Sequence, residues 1–265
     1  MSQKTLTPHR VGLALSGGGA RGIMHIGVLQ ALEEAGIYPQ VLSGTSVGSI
    51  IGALYASGMK PKEILEIALH AKVRQLFKFI LPTLGFAKLT FVENVILRAV
   101  PSDQFQDLNL PLHIAVTNLL TGKLEILSSG SLASAVVASC SVPFMFTPKD
   151  INGQTYIDGG VLMNLPAEPI REQVDLLIGS SLMPIYPVES KDISSPIAVA
   201  TRSFTLSSHT NMLHSERLCD VLIEPAAIDN YHIFQLDKAL EIYQIGYEET
   251  KLKTELIQEK LNANV

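Results

Sequence analysis

Three short clusters hold the residues able to do chemistry: Ser16-Gly17-Gly18-Gly19-Ala20-Arg21-Gly22, Gly44-Thr45-Ser46-Val47-Gly48, and Asp158-Gly159-Gly160. Three consecutive glycines cost conformational entropy and suit close backbone approach or positive φ. Between a strand and a helix, the N–H groups of such a loop can converge on one negatively charged atom, helped by the helix dipole. The loop also fits the dinucleotide pattern Gly17-x-Gly19-x-x-Gly22, but that pattern wants an acidic residue ending the next strand, and here the strand runs into Ser43-Gly44-Thr45-Ser46. A phosphate-binding P-loop fails too, for want of a Gly-Lys-Ser/Thr. The second cluster is a G-x-S-x-G, the pattern of a serine exposed on a tight strand-to-helix turn. The bland alternative is two tight turns in a packed sheet, and an Asp before a Gly is by itself an ordinary turn residue.

The elements that must position these clusters follow from hydrophobic patterning. Val11–Ser16 is a short apolar run that predicts a buried strand. Ile23–Ala35 carries apolar residues at near-helical spacing and stops at Gly36. A second strand around Pro39–Ser43 precedes Ser46, and a helix over Val47–Ser57 follows it. Strand, helix, strand, helix is the pattern of an α/β protein with a parallel sheet. Two parallel strands joined by one helix end at the same sheet edge, which sets Ser46 beside the glycine loop. A nucleophile next to backbone donors is the arrangement acyl transfer needs.

Residues 60–105 open with Pro61 and hold an apolar stretch, Leu76–Phe91, interrupted by Pro82 and Gly85. They predict either a mobile cap over a site or a packed helical insertion. Further strands are expected at Leu112–Thr117, Lys123–Ser128, Asn152–Asp158 and Asp175–Ser181. The C-terminal part, 232–261, predicts a solvated amphipathic helix with Leu236, Leu240, Tyr243, Tyr247 and Thr250 on one face. No repeat or linker interrupts the 265 residues, so a single domain is expected, with its motifs between 11 and 170.

Composition excludes several classes. A net charge of −5 with scattered basic residues leaves no footprint for nucleic acid. Two cysteines, Cys140 and Cys219, make neither a disulfide framework nor metal-ligand spacing. The polar first ten residues lack a signal-peptide core. The uncharged stretches Val41–Met59 and Gly130–Pro148 are too rich in Gly, Ser and Thr, or too broken by proline, for a membrane span. A reduced, cytoplasmic setting is expected, with the chain peripheral at the membrane at most.

Taken together and in order, SGGGARG, HIGVLQALEEAGI, GTSVG, ASCSVPFMFTP, YIDGGVLMNLP, VLIEP and EIYQIGYEE resemble the patatin-like phospholipases, especially small bacterial members. The resemblance implies a three-layer α/β fold with a mainly parallel central sheet flanked by helices. It also implies a Ser–Asp dyad: Ser46 as nucleophile, Asp158 as base, and the N–H groups of Gly17, Gly18 and Gly19 as oxyanion hole. Arg21 and Gly22 belong to the same loop signature, with Arg21 as its anchor, and Gly44, Gly48, Gly159 and Gly160 frame the two catalytic side chains. Val47, Ser49 and Asn118 depart from the residues the family often has.

The implied function is esterase action on phospholipids or lysophospholipids through an acyl-enzyme. The implied partner is a lipid or acyl ester with transient membrane-surface contact. No metal or other cofactor and no calcium dependence are expected. Acyl transfer, thioester hydrolysis and non-catalytic lipid binding use the same fold and stay open, as does the oligomeric state. His209, His214 and His232 follow Asp158 and keep open the Ser, Asp, His order of an α/β-hydrolase triad. Against that triad, Ser46 follows only two strands. His25 is expected to be structural, and nothing marks a base beside Cys140.

Overall fold

In a computed structural model of the chain, residues 10–70, 89–233 and 235–263 are described. The central strand is β1 (Val11–Leu15), buried at all five positions. Seven more strands join it: β2 (Val41–Gly44), β3 (Leu112–Asn118), β4 (Lys123–Leu127), β5 (Lys149–Ile151), β6 (Gln154–Asp158), β7 (Leu176–Ser180) and β8 (Val221–Ile223). Their pairing runs β5-β6-β3-β2-β1-β7-β8, with β4 also on β3. The five strands from β3 to β8 through β2, β1 and β7 are parallel. β4, β6 and β5 attach antiparallel. Burial on both faces explains why β1 and β7 are unbroken runs of apolar and small residues rather than alternating ones.

One detail of the pairing positions the site. Backbone groups alternate between the two edges of a strand. On β3 the Pro111 carbonyl accepts from Leu42 of β2, and the Leu119 N–H donates to Thr155 of β6. Both residues are odd-numbered, so β2 and β6 share one edge of β3. β2 ends with Gly44 opposite Ile114, and β6, running the other way, ends with Asp158 opposite Val116. The carboxyl ends of the two strands therefore meet head to head, about 7 Å apart along β3.

Eight α-helices surround the sheet among the described residues: α1 (Ile23–Glu34), α2 (Val47–Ala56), α3 (Pro61–His70), α4 (Thr90–Ala99), α5 (Leu132–Ser139), α6 (Glu168–Arg171), α7 (Pro196–Leu218) and α8 (Ala239–Ala263). The result is the expected three-layer α/β architecture. Within 60–105, α3 and α4 pack into the core through Ile64, Val92 and Ile96. Most of Leu76–Phe91 falls in 71–88, outside the described residues.

The C-terminal helix differs from expectation. Its buried positions are Ala239, Ile242, Gly246, Thr250 and Ile257, and Leu240 is exposed. The cause is a backbone-to-backbone seam with α1. A Cβ on Gly27 would lie 2.1 Å from the Tyr243 carbonyl oxygen, and one on Gly246 would lie 2.2 Å from that of Met24. Small residues therefore face inward, and the tyrosines flank the seam.

Candidate active site

Ser46 sits at the turn from β2 into α2 with φ 52° and ψ −125°. A positive φ is uncommon outside glycine, and such strain persists only where the surroundings over-determine it. Here the surroundings are the motif's glycines. A Cβ on Gly44 would come within 2.6 Å of the Gly48 backbone, and one on Gly48 within 2.3 Å of the Leu15 carbonyl oxygen. Helix α2 can thus start directly against the ends of β1 and β2. Gly22 does the same for the short helical turn before α1, since its Cβ would meet the Val47 side chain at 2.2 Å.

Asp158 ends β6 and is 1% exposed. Its Oδ1 accepts the Gly160 N–H at 2.7 Å, whereas Oδ2 has no hydrogen-bond partner among the described residues. Burial pushes the carboxyl pKa up to about 7, with the Gly160 N–H and then the Ser46 hydroxyl opposing the rise. Among the described residues no hydrogen bond joins the Ser46 hydroxyl to Oδ2, and such bonds are often long or open before substrate binds. Gly159 lets the chain turn under this carboxylate, because a Cβ there would lie 2.3 Å from the Ala115 carbonyl oxygen. The turn is clamped by α7: Ser208 Oγ and Asn211 Nδ2 donate to the Gly160 carbonyl at 2.8 and 3.0 Å.

The triple-glycine loop does not offer all three N–H groups. Gly17 N–H donates to the Asn164 carbonyl at 3.1 Å, so it is not free for the oxyanion role expected of all three glycines. Gly19 holds φ 60°, and its Cβ would lie 2.4 Å from the Ile233 carbonyl oxygen. Arg21 ties the loop to residues far along the chain. Its Nε donates to the Tyr231 carbonyl at 2.7 Å, and its terminal nitrogens reach the Leu182 carbonyl at 3.2 Å and Asp229 Oδ1 at 3.1 Å.

Ser46, Asp158 and Gly17 to Gly19 line one cavity of about 240 Å³, whose remaining wall is mostly aliphatic and aromatic. Ile50, Leu54, Val92, Phe146, Phe204 and Ile233 belong to it, as do Leu89 and Phe91 from the end of the apolar stretch after Pro61. The wall on that side is apolar, and an acyl chain fits it chemically.

No described histidine lines the cavity. His209 instead places Nδ1 3.2 Å from the Met183 carbonyl oxygen. His25 is fully buried, its Nε2 2.9 Å from the Ser16 carbonyl and its Nδ1 2.8 Å from Ser180 Oγ. The carbonyl requires the proton on Nε2, so the Ser180 hydroxyl donates to Nδ1. Burial lowers the His25 pKa to about 4, leaving a neutral tie between the ends of β1 and β7. Cys140 lines the cavity beside the dyad, but burial, then the Asp158 charge, push its thiol pKa up. It is no thiolate nucleophile. Asn118 caps the β3–β4 turn through Leu120 and Thr121 N–H and stays out of the cavity lining. Among the described residues no cluster of potential metal ligands occurs.

Two contributors lay outside the sequence reading, the α7 clamp and Ser139. The Ser139 hydroxyl accepts the Ser46 N–H at 2.8 Å and donates to the Ala115 carbonyl at 2.8 Å. Its one signal in the sequence is a serine ending the apolar run Leu132–Ser139.

Residues 13–171 match the family model described as patatin-like phospholipase. A lysophospholipase of Neosartorya fischeri is 29% identical over 95% of this chain and 19% of its own length. An NTE family protein of Mycobacterium bovis is 34% identical over 65% of this chain and 49% of its own length. The chain thus spans about a fifth to a half of these curated relatives. Among solved structures, VipD of Legionella pneumophila aligns over 97% of this chain and 67% of its own, with TM-score 0.52 and 18% identity. Human GIVD cytosolic phospholipase A2 aligns over 97% and 59%, with TM-score 0.53 and 12% identity. At such identities these two establish a shared fold.

Proposed function

The chain belongs to the patatin-like phospholipase family, and from that premise we propose that it hydrolyses carboxylic esters of lysophospholipids or phospholipids through a Ser46–Asp158 dyad. The observation that carries the reading is the asymmetric carboxylate of Asp158, with one oxygen held by Gly160 N–H and the other bare, buried and next to a strained serine. The apolar cavity wall supports an acyl substrate, and the fungal relative is named a lysophospholipase.

In this mechanism Ser46 Oγ attacks the ester carbonyl carbon while its proton passes to Asp158 Oδ2. The carbonyl oxygen becomes an oxyanion facing the N–H groups of Gly18 and Gly19, with Gly17 left out because its N–H is committed. Collapse expels the alcohol, which takes the proton from Asp158, and leaves an acyl-enzyme. Water then gives a proton to Asp158 and attacks the acyl carbon. A second collapse frees the fatty acid and returns the proton to Ser46. Each step needs the carboxylate and its acid in turn, so a pKa of about 7 suits both roles.

A substrate of this class resides in a bilayer or micelle, so the reading includes transient contact with a lipid surface. Among the described residues no helix is long and apolar enough to cross a membrane. The test is fluorophosphonate labelling of wild type and Ser46→Ala, followed by turnover of lysophospholipids, phospholipids and short esters with glycerol or coenzyme A as competing acceptors. Labelling at Ser46 and release of free fatty acid are expected. Labelling elsewhere, or acyl transfer as the main product, overturns the hydrolase reading.

A further inference from the structure

β2 and β6 leave a gap where their ends meet on β3. Gly44 pairs with Ile114 and Asp158 with Val116, so Ala115 lies between the two strand ends. Its carbonyl accepts the hydroxyl of Ser139, which is fully buried at the last turn of α5, at 2.8 Å. The same hydroxyl accepts the N–H of Ser46 at 2.8 Å.

We propose that Ser139 is a positioning residue for ester cleavage, its hydroxyl fixing the Ser46 backbone against the strand end that carries Asp158. The inference rests on the dyad reading above and adds what holds the dyad in register. Ser46 has a backbone that would relax if released, since φ 52° is strained for a serine. The restraints on its peptide groups are few. Its carbonyl accepts from Ser49 Oγ and from the first N–H groups of α2. Among the described residues its own N–H has Ser139 alone as hydrogen-bond partner.

The Ser139 link ties the nucleophile to the carbonyl of Ala115, one residue from the one that pairs with Asp158. It therefore sets the separation of nucleophile and base at the sheet edge. A further consequence is that the Ser46 N–H is unavailable to an oxyanion, which leaves that task to the glycine loop.

The experiment compares wild type, Ser139→Ala and the near-isosteric Ser139→Cys in the full chain. A fluorophosphonate at Ser46 reports nucleophile reactivity without natural substrate, and a p-nitrophenyl ester separates kcat from KM. Misplacing a reacting group by about 1 Å costs on the order of 10²-fold. Ser139→Ala is thus expected to slow labelling and lower kcat by about 10- to 100-fold, with KM within about twofold and all sites eventually labelled. Ser139→Cys, a weak donor and acceptor, should fall between. Should Ser139→Ala not fold, the cysteine variant carries the test. Wild-type labelling rates in a folded variant overturn the role of Ser139 alone. No labelling of the wild type overturns the dyad and this inference together.

Discussion

Asp158 Oδ1 accepts the Gly160 N–H at 2.7 Å, two residues along the chain, and this local bond leaves Oδ2 buried with no hydrogen-bond partner among the described residues. The carboxylate is oriented by its own turn instead of by a second side chain. Burial raises its pKa to about 7, so the group works at the border between its acid and base forms.

That value sets the pH profile. Ser46 can lose its proton only to the ionised carboxylate, so kcat/KM for a p-nitrophenyl ester should rise about tenfold per pH unit below 7 and level off above it. A stopped-time assay from pH 5 to 9 measures this. A flat profile across pH 6 to 8 excludes Asp158 as the titrating base.

Asp158→Asn should lower kcat by about 10²–10⁴, the usual contribution of a general base. It should also stabilise the fold in alkaline buffer. A carboxyl group raised from its ordinary value of about 3.9 to about 7 stabilises the folded state when protonated. That contribution is complete below about pH 4 and is lost as pH rises through 7. The asparagine cannot ionise, so its thermal midpoint should gain on the wild type between pH 5 and 8, by roughly 2–4 °C for each kcal/mol. Thermal melts at both pH values decide it.

Gly19→Ala should cost about 10²–10³ in kcat, the loss typical of one oxyanion donor. Its Cβ would sit 2.4 Å from the Ile233 carbonyl oxygen, so the loop must shift. The check is kcat of the folded variant, with circular dichroism confirming the fold.

Single replacements of His209, His214 and His232 by alanine should each leave kcat within about threefold, because none lines the cavity with Ser46. Steady-state kinetics on the ester suffice. A loss of a thousandfold at any one of them would restore a triad.

The strand-to-helix turn at Ser46 and the glycine loop were legible in the sequence because each is a local backbone demand, whereas Asp158 stood out only through the family resemblance. Gly44, Gly48, Gly19 and Gly159 stand where a side chain would collide with the main chain, and that constraint leaves its mark in residue type. The apolar runs behind β1, β2, β3 and β7 were legible for a similar reason, since burial on both faces leaves mostly apolar and small residues. Helix α7 was not. Its buried positions Ser208, Met212 and Ser215 mix polar and apolar residues, because Ser208 donates to a backbone carbonyl and Ser215 to a carboxylate while Met212 joins the core.

By itself the sequence determined that an α/β sheet forms and marked Ser46 and the glycine loop as candidates for chemistry, since those properties depend on neighbours within a turn or a strand. Tertiary structure decided the rest: that β2 and β6 meet on one edge of β3, that the Gly17 N–H is consumed by Asn164, and that Ser139 spans the gap. Each of these joins residues far apart in the chain, and a hydrogen bond closed across such a distance leaves no periodicity or spacing to read.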